Sequence, residues 1–375
     1  MIPFNKPYTT GQEIFNISKA IELGRLAGDG AFTFAVQRFM EERYGFNKTL
    51  LTTSCTDALE MSAILADIDC DSEVIMPSYT FVSTANAFAL RGATIVFADS
   101  EQFSPHLDVA QLESLITPKT KAIVVMHYAG VACDMDPVIA LAKKHNLTVI
   151  EDAAQAIDAF YKGRPLGSIG DLSTFSFHET KNIISGEGGL ICINNEGYKK
   201  RAEIIREKGT NRSQFIRGEI DKYGWVDIGS SFLASEITAA FLMAQLDRID
   251  EIQYKRKQLW KRYNSNLKGL LQISENSLPF IPEYASNNAH MYYLRCGSLQ
   301  ERKKLIEFLS GKNIKSTFHY LSLHKSYYFA QKHDGRELKG ADMWTDCLVR
   351  LPMYYDLTNE NVDFICENIL SFYNA

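Results

Sequence analysis

The 375-residue sequence has no run of 18 or more uncharged apolar residues, so it offers no ordinary transmembrane helix. Its opening, Met1-Ile2-Pro3-Phe4-Asn5-Lys6, lacks the charged-then-apolar layout of a secretory leader, and a cytoplasmic protein is expected. Neither charge is in surplus: 40 Lys and Arg against 45 Asp and Glu leave −5, which argues against a polybasic nucleic-acid binder. Cysteine is sparse and unpatterned. The seven, Cys55, Cys70, Cys133, Cys192, Cys296, Cys347 and Cys366, are never spaced as CxxC or as a Cys/His cluster, and read as reduced, mostly buried thiols. GxGxxG, GxxxxGK[ST] and internal repeats are missing, which removes the main support for nicotinamide or Walker-type nucleotide binding. His178-Glu179 begins an HExxH zinc pattern, but Asn182 stands where the second histidine belongs, so no metal is expected.

What is present is a long alternation. Short β-rich runs at Leu50–Thr53, Val74–Met76, Thr94–Phe97, Ala122–Met126, Thr148–Glu151, Ser173–Phe177 and Leu190–Ile193 are separated by helical patterns. Runs such as Ala122-Ile123-Val124-Val125-Met126 are continuously apolar, as strands covered on both faces must be. An α/β fold follows, with a mostly parallel central sheet and functional groups at the carboxyl ends of its strands. The pattern changes after about Ala239 to a polar-rich helix from Gln245 to Leu267, a Pro-containing link at Leu278–Pro282 and a smaller α+β segment. The expected division is residues 1–240 as the large domain and 241–375 as the small one. Lys255-Arg256-Lys257 with Lys261-Arg262 reads as a solvated helix face rather than a phosphate site.

The chemistry is concentrated between Val149 and Gly189. A strand ends in Glu151-Asp152 and is followed by Ala153-Ala154-Gln155, delivering a carboxylate to the sheet edge beside small residues on which a flat ligand can lie. In Ser173-Thr174-Phe175-Ser176-Phe177-His178 the period of two puts Ser176 and His178 opposite the phenylalanines. Lys181 follows, then Gly186-Glu187-Gly188-Gly189, where missing side chains allow close backbone approach. A lysine amine that binds an aldehyde and a carboxylate that keeps a pyridine nitrogen protonated are what pyridoxal phosphate requires, and Lys181 and Asp152 supply them. Singly, each reads more readily as a solvated lysine and as a turn or helix-cap aspartate. Ser54-Cys55-Thr56 lies between a strand and a helix, either as a phosphate-binding corner or as a plain N-cap. Phe81, after the strand ending at Met76-Pro77, is placed to stack on a ring or to pack in the core.

Together these residues resemble the DegT-like family of fold-type I, pyridoxal phosphate-dependent sugar aminotransferases. The resemblance spans nearly the whole chain: GDG at Gly28–Gly30, TSCT, MPSYTFVSTANAF, HYAGVACDMD, EDAAQ, SFHETKN, GEGG, REKGTNRSQF and DIGSS. It implies that Lys181 carries the cofactor covalently, that Asp152 meets its pyridine nitrogen and that Gln155 lies beside its phenolic oxygen. It further implies that Ser176, Ser54, Cys55 and Thr56 hold the phosphate, that Phe81 stacks on the ring, and that pyridoxamine phosphate is the intermediate cofactor form. The family's homodimers share active sites between subunits; Ser230 or Ser231 stands here where many relatives carry an asparagine that reaches the neighbouring cofactor. His319 and Tyr320, in Phe318-His319-Tyr320, resemble a stretch bordering the sugar pocket, and are equally readable as a strand. Lys208 and Arg212, in the Arg206–Arg217 loop, are candidates for a substrate diphosphate.

The expected reaction is amino transfer from L-glutamate to the 4-keto group of TDP-4-dehydro-6-deoxy-D-glucose, giving the galacto product. The rivals are a 3-keto sugar nucleotide substrate, a gluco product, a dehydratase (which relatives run with histidine in place of Lys181), and a non-catalytic binding protein on the same fold.

Overall fold

The computed structural model describes residues 1–273 and 278–374. In chain order its strands are β1 (Thr49–Thr52), β2 (Glu73–Pro77), β3 (Thr94–Ala98), β4 (Thr120–Met126), β5 (Thr148–Asp152), β6 (Phe160–Tyr161), β7 (Arg164–Pro165), β8 (Leu172–Ser176), β9 (Gly189–Ile193), β10 (Tyr292–Arg295), β11 (Thr317–Phe318) and β12 (Leu348–Leu351). Seven form one sheet in the order β1-β9-β8-β5-β4-β2-β3. Pairing is parallel from β3 to β8 and antiparallel on both sides of β9, so only β9 runs against the others. All seven expected central strands are present, with ends displaced by a residue or two.

The continuous apolar runs have their predicted cause. Val124 and Met126 enter one core cluster while Ile123 and Val125 enter another on the opposite face, and all four are buried. The reversal of β9 matters most for the site, because it brings a strand start to the edge where the other strands finish. Gly189 pairs with both Thr52 and Ser176, so the corner after β1 and the segment after β8 meet there.

A second, three-stranded antiparallel sheet, β10-β12-β11, packs a third core cluster containing Leu259, Tyr263, Leu294, Val349 and Leu351. Ile2 joins that cluster and bridges to Ile314, so the first residues of the chain lie with the last hundred.

Two readings of the polar helix change. It is broken after Leu246: one helix spans Glu236–Leu246 and the next begins at Ile249, which lets Leu246 and Ile249 both enter the core. Arg256 is not on a solvated face. It is buried and donates to the carbonyls of Ala289 and His290 at 3.1 and 2.7 Å, so the guanidinium holds the irregular segment before β10. The cysteines are free thiols, five of them buried, with Cys70 exposed. Among the described residues no helix is long and apolar enough to cross a membrane.

Candidate active site

A cavity of about 720 Å³ opens at the carboxyl edge of the large sheet and is closed from the other side by residues of the second sheet. Its wall contains Lys181, Asp152, Gln155, Ser176, Phe81 and the corner Ser54-Cys55-Thr56, together with His319 and Tyr320. Residues scattered over 267 positions of sequence thus converge, because strand ends and crossover loops meet at this edge.

The last two residues of β5 divide their labour by the alternation of the strand. Glu151 points below the sheet, fully buried, where its carboxylate accepts from His127 Nε2 at 2.9 Å and from the amides of Gly167, Ile169 and Gly170 at 2.7–2.8 Å. Burial pushes this carboxyl up, yet His127 and the amide donors outweigh it and hold the group below the ordinary value. Asp152 faces the cavity, where Thr84 Oγ1 donates to one oxygen at 2.6 Å and the Ala154 amide to the other at 3.2 Å. Burial dominates there and raises the Asp152 carboxyl despite these donors and the nearby Lys181. A carboxylate placed in that environment gains from a cationic partner, such as a protonated pyridine nitrogen.

Lys181 sits in the β8–β9 connection. Its segment is tied by Phe177 N to Gly188 O at 2.9 Å, Glu179 N to Gly186 O at 2.9 Å and Ser185 N to Phe177 O at 2.7 Å. Burial lowers the Lys181 ammonium, against the favourable pull of Cys55 and Asp152, which makes a neutral, nucleophilic amine easier to reach. Gly189 is required by space rather than by flexibility: a Cβ there would lie 2.2 Å from the Ser54 carbonyl carbon.

At the helix Cys55–Leu65 the Ser54 hydroxyl accepts from the Asp57 amide at 3.0 Å, which is the plain N-cap arrangement. The amides of Cys55 and Thr56 belong to the first turn and have no acceptor inside the helix, so an anion at the corner meets them. Thr56 Oγ1 also donates to Ser83 at 2.9 Å. Burial pushes the Cys55 thiol up to about 12, so the sulfur stays a neutral thiol.

The segment after β11 forms the far wall. Tyr128 and His319 Nδ1 share a hydrogen bond of 2.7 Å, Tyr79 donates to the His319 carbonyl at 2.7 Å, and the His319 and Tyr320 rings stack at 3.6 Å. Gln155 accepts from the Ala129 amide at 2.6 Å and donates to the Tyr320 hydroxyl at 2.9 Å, joining the two walls. Tyr320 is held at φ +40°, a left-handed conformation that costs a bulky residue about 1–2 kcal/mol. Both readings of this stretch are therefore realised: Thr317–Phe318 is a strand, and the two residues beyond it line the cavity. Phe81 is 53% exposed at the start of the helix Val82–Ala89, with its ring centroid 6.0 Å from that of Tyr320.

Four expected residues lie elsewhere in this chain. Lys208 and Ser230 are joined through backbone at 2.9 Å, Ser231 bridges to Glu207, and Arg212 pairs with Glu207; none of the four lines the cavity. Arg206, from the same stretch, is buried and donates to Asp29, Gln37 and the Leu51 carbonyl, so it is not available to a diphosphate. Conversely, sequence reasoning passed over Thr84, Ser83, Tyr128, His290 and Arg350. Thr84 lies within the quoted MPSYTFVSTANAF motif, and Arg350 is a lone charge in the apolar run Leu348–Leu351, a signal that was legible.

An amine, a buried carboxylate and an anion-binding corner in one cavity match the donor set that pyridoxal phosphate needs, and the Gly189 cradle leaves room for it. The family model described as the DegT/DnrJ/EryC1/StrS aminotransferase family matches residues 8–370. The chain is 31% identical to GDP-perosamine synthase of Caulobacter vibrioides, covering 95% of this chain and 94% of that protein. It is 30% identical to spore coat polysaccharide biosynthesis protein SpsC of Bacillus subtilis, covering 98% and 96%. A putative sugar aminotransferase from Streptococcus pneumoniae, Spr1654, superposes with a TM-score of 0.92 at 27% identity, over 100% of this chain and 99% of that one. That protein has been solved in PMP and PLP forms. Fold and cavity together define a pyridoxal phosphate-dependent aminotransferase of the fold-type I class. The chain belongs to the DegT/DnrJ/EryC1/StrS aminotransferase family.

Proposed function

We propose that this enzyme transfers the amino group of L-glutamate to the 4-keto carbon of a nucleotide sugar, TDP-4-dehydro-6-deoxy-D-glucose, giving TDP-4-amino-4,6-dideoxy-D-galactose. The observation that carries the reading is the placement of Lys181 and Asp152 in one cavity roomy enough for a cofactor and a sugar. Curated relatives named for perosamine and for spore coat polysaccharide support a sugar nucleotide as the class of acceptor. The TDP base, the 4-keto position and the galacto stereochemistry rest on the whole-chain sequence resemblance.

Pyridoxal phosphate supplies an electron sink for charge that develops on the substrate carbon. Asp152, fixed by Thr84, would hold the proton on the pyridine nitrogen. Lys181 would hold the cofactor covalently at rest, and its amine is the group placed to hold and move a proton at the substrate carbon. Of the other lining residues, Gln155 would serve the phenolic oxygen, Ser176 and the Cys55-Thr56 corner would hold the phosphate, and Phe81 would cover the ring. The reading includes a cytoplasmic homodimer in which Ser230 or Ser231 reaches the neighbouring site. Residues 1–240 form the cofactor platform in it, and residues 241–375 the lobe over the sugar. Lys208 and Arg212 then meet substrate only across the dimer, since neither lines the cavity of its own chain.

Lys181→Ala is expected to lose the visible absorbance of bound cofactor and steady-state turnover; an unchanged spectrum with full activity would sink the assignment. Incubating the wild-type enzyme with glutamate and either the 3-keto or the 4-keto sugar nucleotide, then identifying products by NMR, decides between the 4-keto galacto reading and its 3-keto and gluco rivals.

A further inference from the structure

His290 stands in the irregular segment just ahead of β10 and lines the same cavity as Lys181. Its backbone has little freedom: Ala289 is left-handed at φ +55°, the His290 amide donates to Asn288 Oδ1 at 3.0 Å, and its carbonyl accepts from Arg256 at 2.7 Å. The ring is fixed as well. Asn182, the residue after Lys181, directs its amide protons to Gln253 Oε1 at 2.8 Å and to the Asn288 carbonyl at 2.9 Å. Its Oδ1 is left to meet His290 Nδ1, at 3.0 Å, and a carbonyl oxygen can only accept. The proton of a neutral ring therefore sits on Nδ1, and Nε2 keeps a bare lone pair. Burial holds His290 neutral, helped by the charges of Lys181, Arg350 and Arg256 and by His319, with Lys181 foremost among them.

That lone pair has no partner among the described residues. Unlike His324 Nε2, which is sealed in the interior without one, it is open to the cavity. The Lys181 amine likewise bonds to no described residue, so an acceptor and a donor without partners share one cavity. The other titratable groups around the lysine are engaged or unsuited. Asp152 takes the Thr84 hydroxyl and the Ala154 amide, Cys55 stays a thiol, and Arg350 is itself a donor. Across the cavity His319 Nδ1 is bonded to Tyr128 and the Tyr320 hydroxyl to Gln155, while His178 and Glu187, both largely exposed, face each other at 3.7 Å.

We propose that His290 is a positioning residue for Lys181: its Nε2, presented to the cavity by the bond between Nδ1 and Asn182, accepts a hydrogen bond from the lysine when the lysine carries the transferred proton. The inference rests on the aminotransferase reading, in which Lys181 takes a proton from the substrate carbon, holds it at Nζ as an ammonium and gives it up again. His290 neither gains nor loses a proton in this exchange. Its lone pair offsets part of the burial that disfavours the ammonium and gives a flexible side chain a fixed bearing. A ring with the opposite tautomer would present a donor there and turn the ammonium away. Asn182, next to Lys181 in sequence, thus selects the tautomer that serves its neighbour.

Two substitutions separate this role from a purely structural one. His290→Gln offers its amide oxygen near the place of Nε2, whereas His290→Asn offers its amide nitrogen near the place of Nδ1 and nothing beyond. The readout is trace acetylation of Lys181 against pH, followed by mass spectrometry. It is made on the full-length chain both free of cofactor and loaded with pyridoxamine phosphate, two states in which the lysine amine is free. His290→Asn, which deprives the ammonium of its acceptor, is expected to lower the labelling midpoint by about one pH unit, and His290→Gln to stay within about 0.3 unit of wild type. In turnover, His290→Asn is expected to lose about tenfold in kcat with little change in KM, and His290→Gln to recover most of it. An unmoved midpoint in His290→Asn would overturn the proposal. So would the reverse order, with Asn restoring what Gln does not, since that marks a tie to Asn182 alone. If neither variant folds, neutron diffraction from wild-type crystals decides. Deuterium on Nδ1 with the lysine directed at Nε2 supports the assignment; deuterium on Nε2, or a lysine turned away from it, ends it. A wild-type enzyme inert toward every keto sugar would remove the sugar reading alone, leaving the labelling midpoints to judge His290.

Discussion

Asp152 and Glu151 are adjacent in sequence and opposite in consequence. Asp152→Asn keeps the hydrogen bond to Thr84 possible but cannot hold a proton on a pyridine nitrogen, so turnover is expected to fall by at least about 100-fold while cofactor remains on Lys181. Stopped assays with parallel absorbance spectra separate the two quantities. A second single-residue effect concerns acid. His106 is buried, donates from Nε2 to the Val131 carbonyl at 2.9 Å and accepts the Ser104 hydroxyl at Nδ1, so both partners suit the neutral ring. Burial, aided by repulsion from His127, lowers it from 6.5 to about 4. The unfolded chain then takes up the proton first: stability is complete above pH 6.5 and is lost as pH falls toward 4, by about 3 kcal/mol from this group. Glu151, depressed in the fold, acts in the same direction at lower pH, whereas the raised Asp152 opposes both. Denaturant melts of wild type and His106→Gln between pH 7 and 4 are expected to converge on acidification; parallel curves would refute the account.

At the level of elements, strands were legible because burial on both faces forces continuous apolar runs, and β4 is the clearest case. The corner after β1 and the Lys181 connection were legible through residue type alone. The partners were not: Thr84 reaches Asp152 across 68 positions, and Arg350 reaches the cavity only because β12 pairs with β10 in one register. A one-residue slip would turn Arg350 into the core and Val349 outward. The break at Asp247–Arg248 was invisible because Leu246 and Ile249 fit one continuous helical stripe as well as two. Gly189 shows how an element depends on a missing atom. Gly189→Ala places a methyl 2.2 Å from the Ser54 carbonyl carbon, where backbone rather than a flexible side chain must yield. A loss of about 1–3 kcal/mol in chemical denaturation is expected, with weaker retention of cofactor on dialysis, since the corner moves with it.

On the scale of the whole molecule, the apolar surface is unevenly distributed. Phe215, Tyr223, Trp225, Val226 and Ile228 are all exposed, Trp225 by 83%, in the stretch of sequence that leads to Ser230 and Ser231. A monomer gains nothing from such a patch. If the proposed dimer forms here, Trp225→Glu is expected to halve the mass measured by light scattering and to reduce activity with it, because the neighbouring site loses its borrowed residues. A dimer that survives with full activity would place the interface elsewhere.

The backbone ties around Lys181 also set a clock. With Phe177, Glu179 and Ser185 all bonded across the β8–β9 connection, little main-chain freedom remains where the lysine is attached. If the amine leaves the cofactor and returns as proposed, the movement falls on its four methylenes, a rotamer change of picoseconds to nanoseconds rather than a loop opening of microseconds. The amides of those residues are accordingly expected among the slowest in the protein to exchange with deuterium, and chemistry at the lysine need not wait for the chain that carries it.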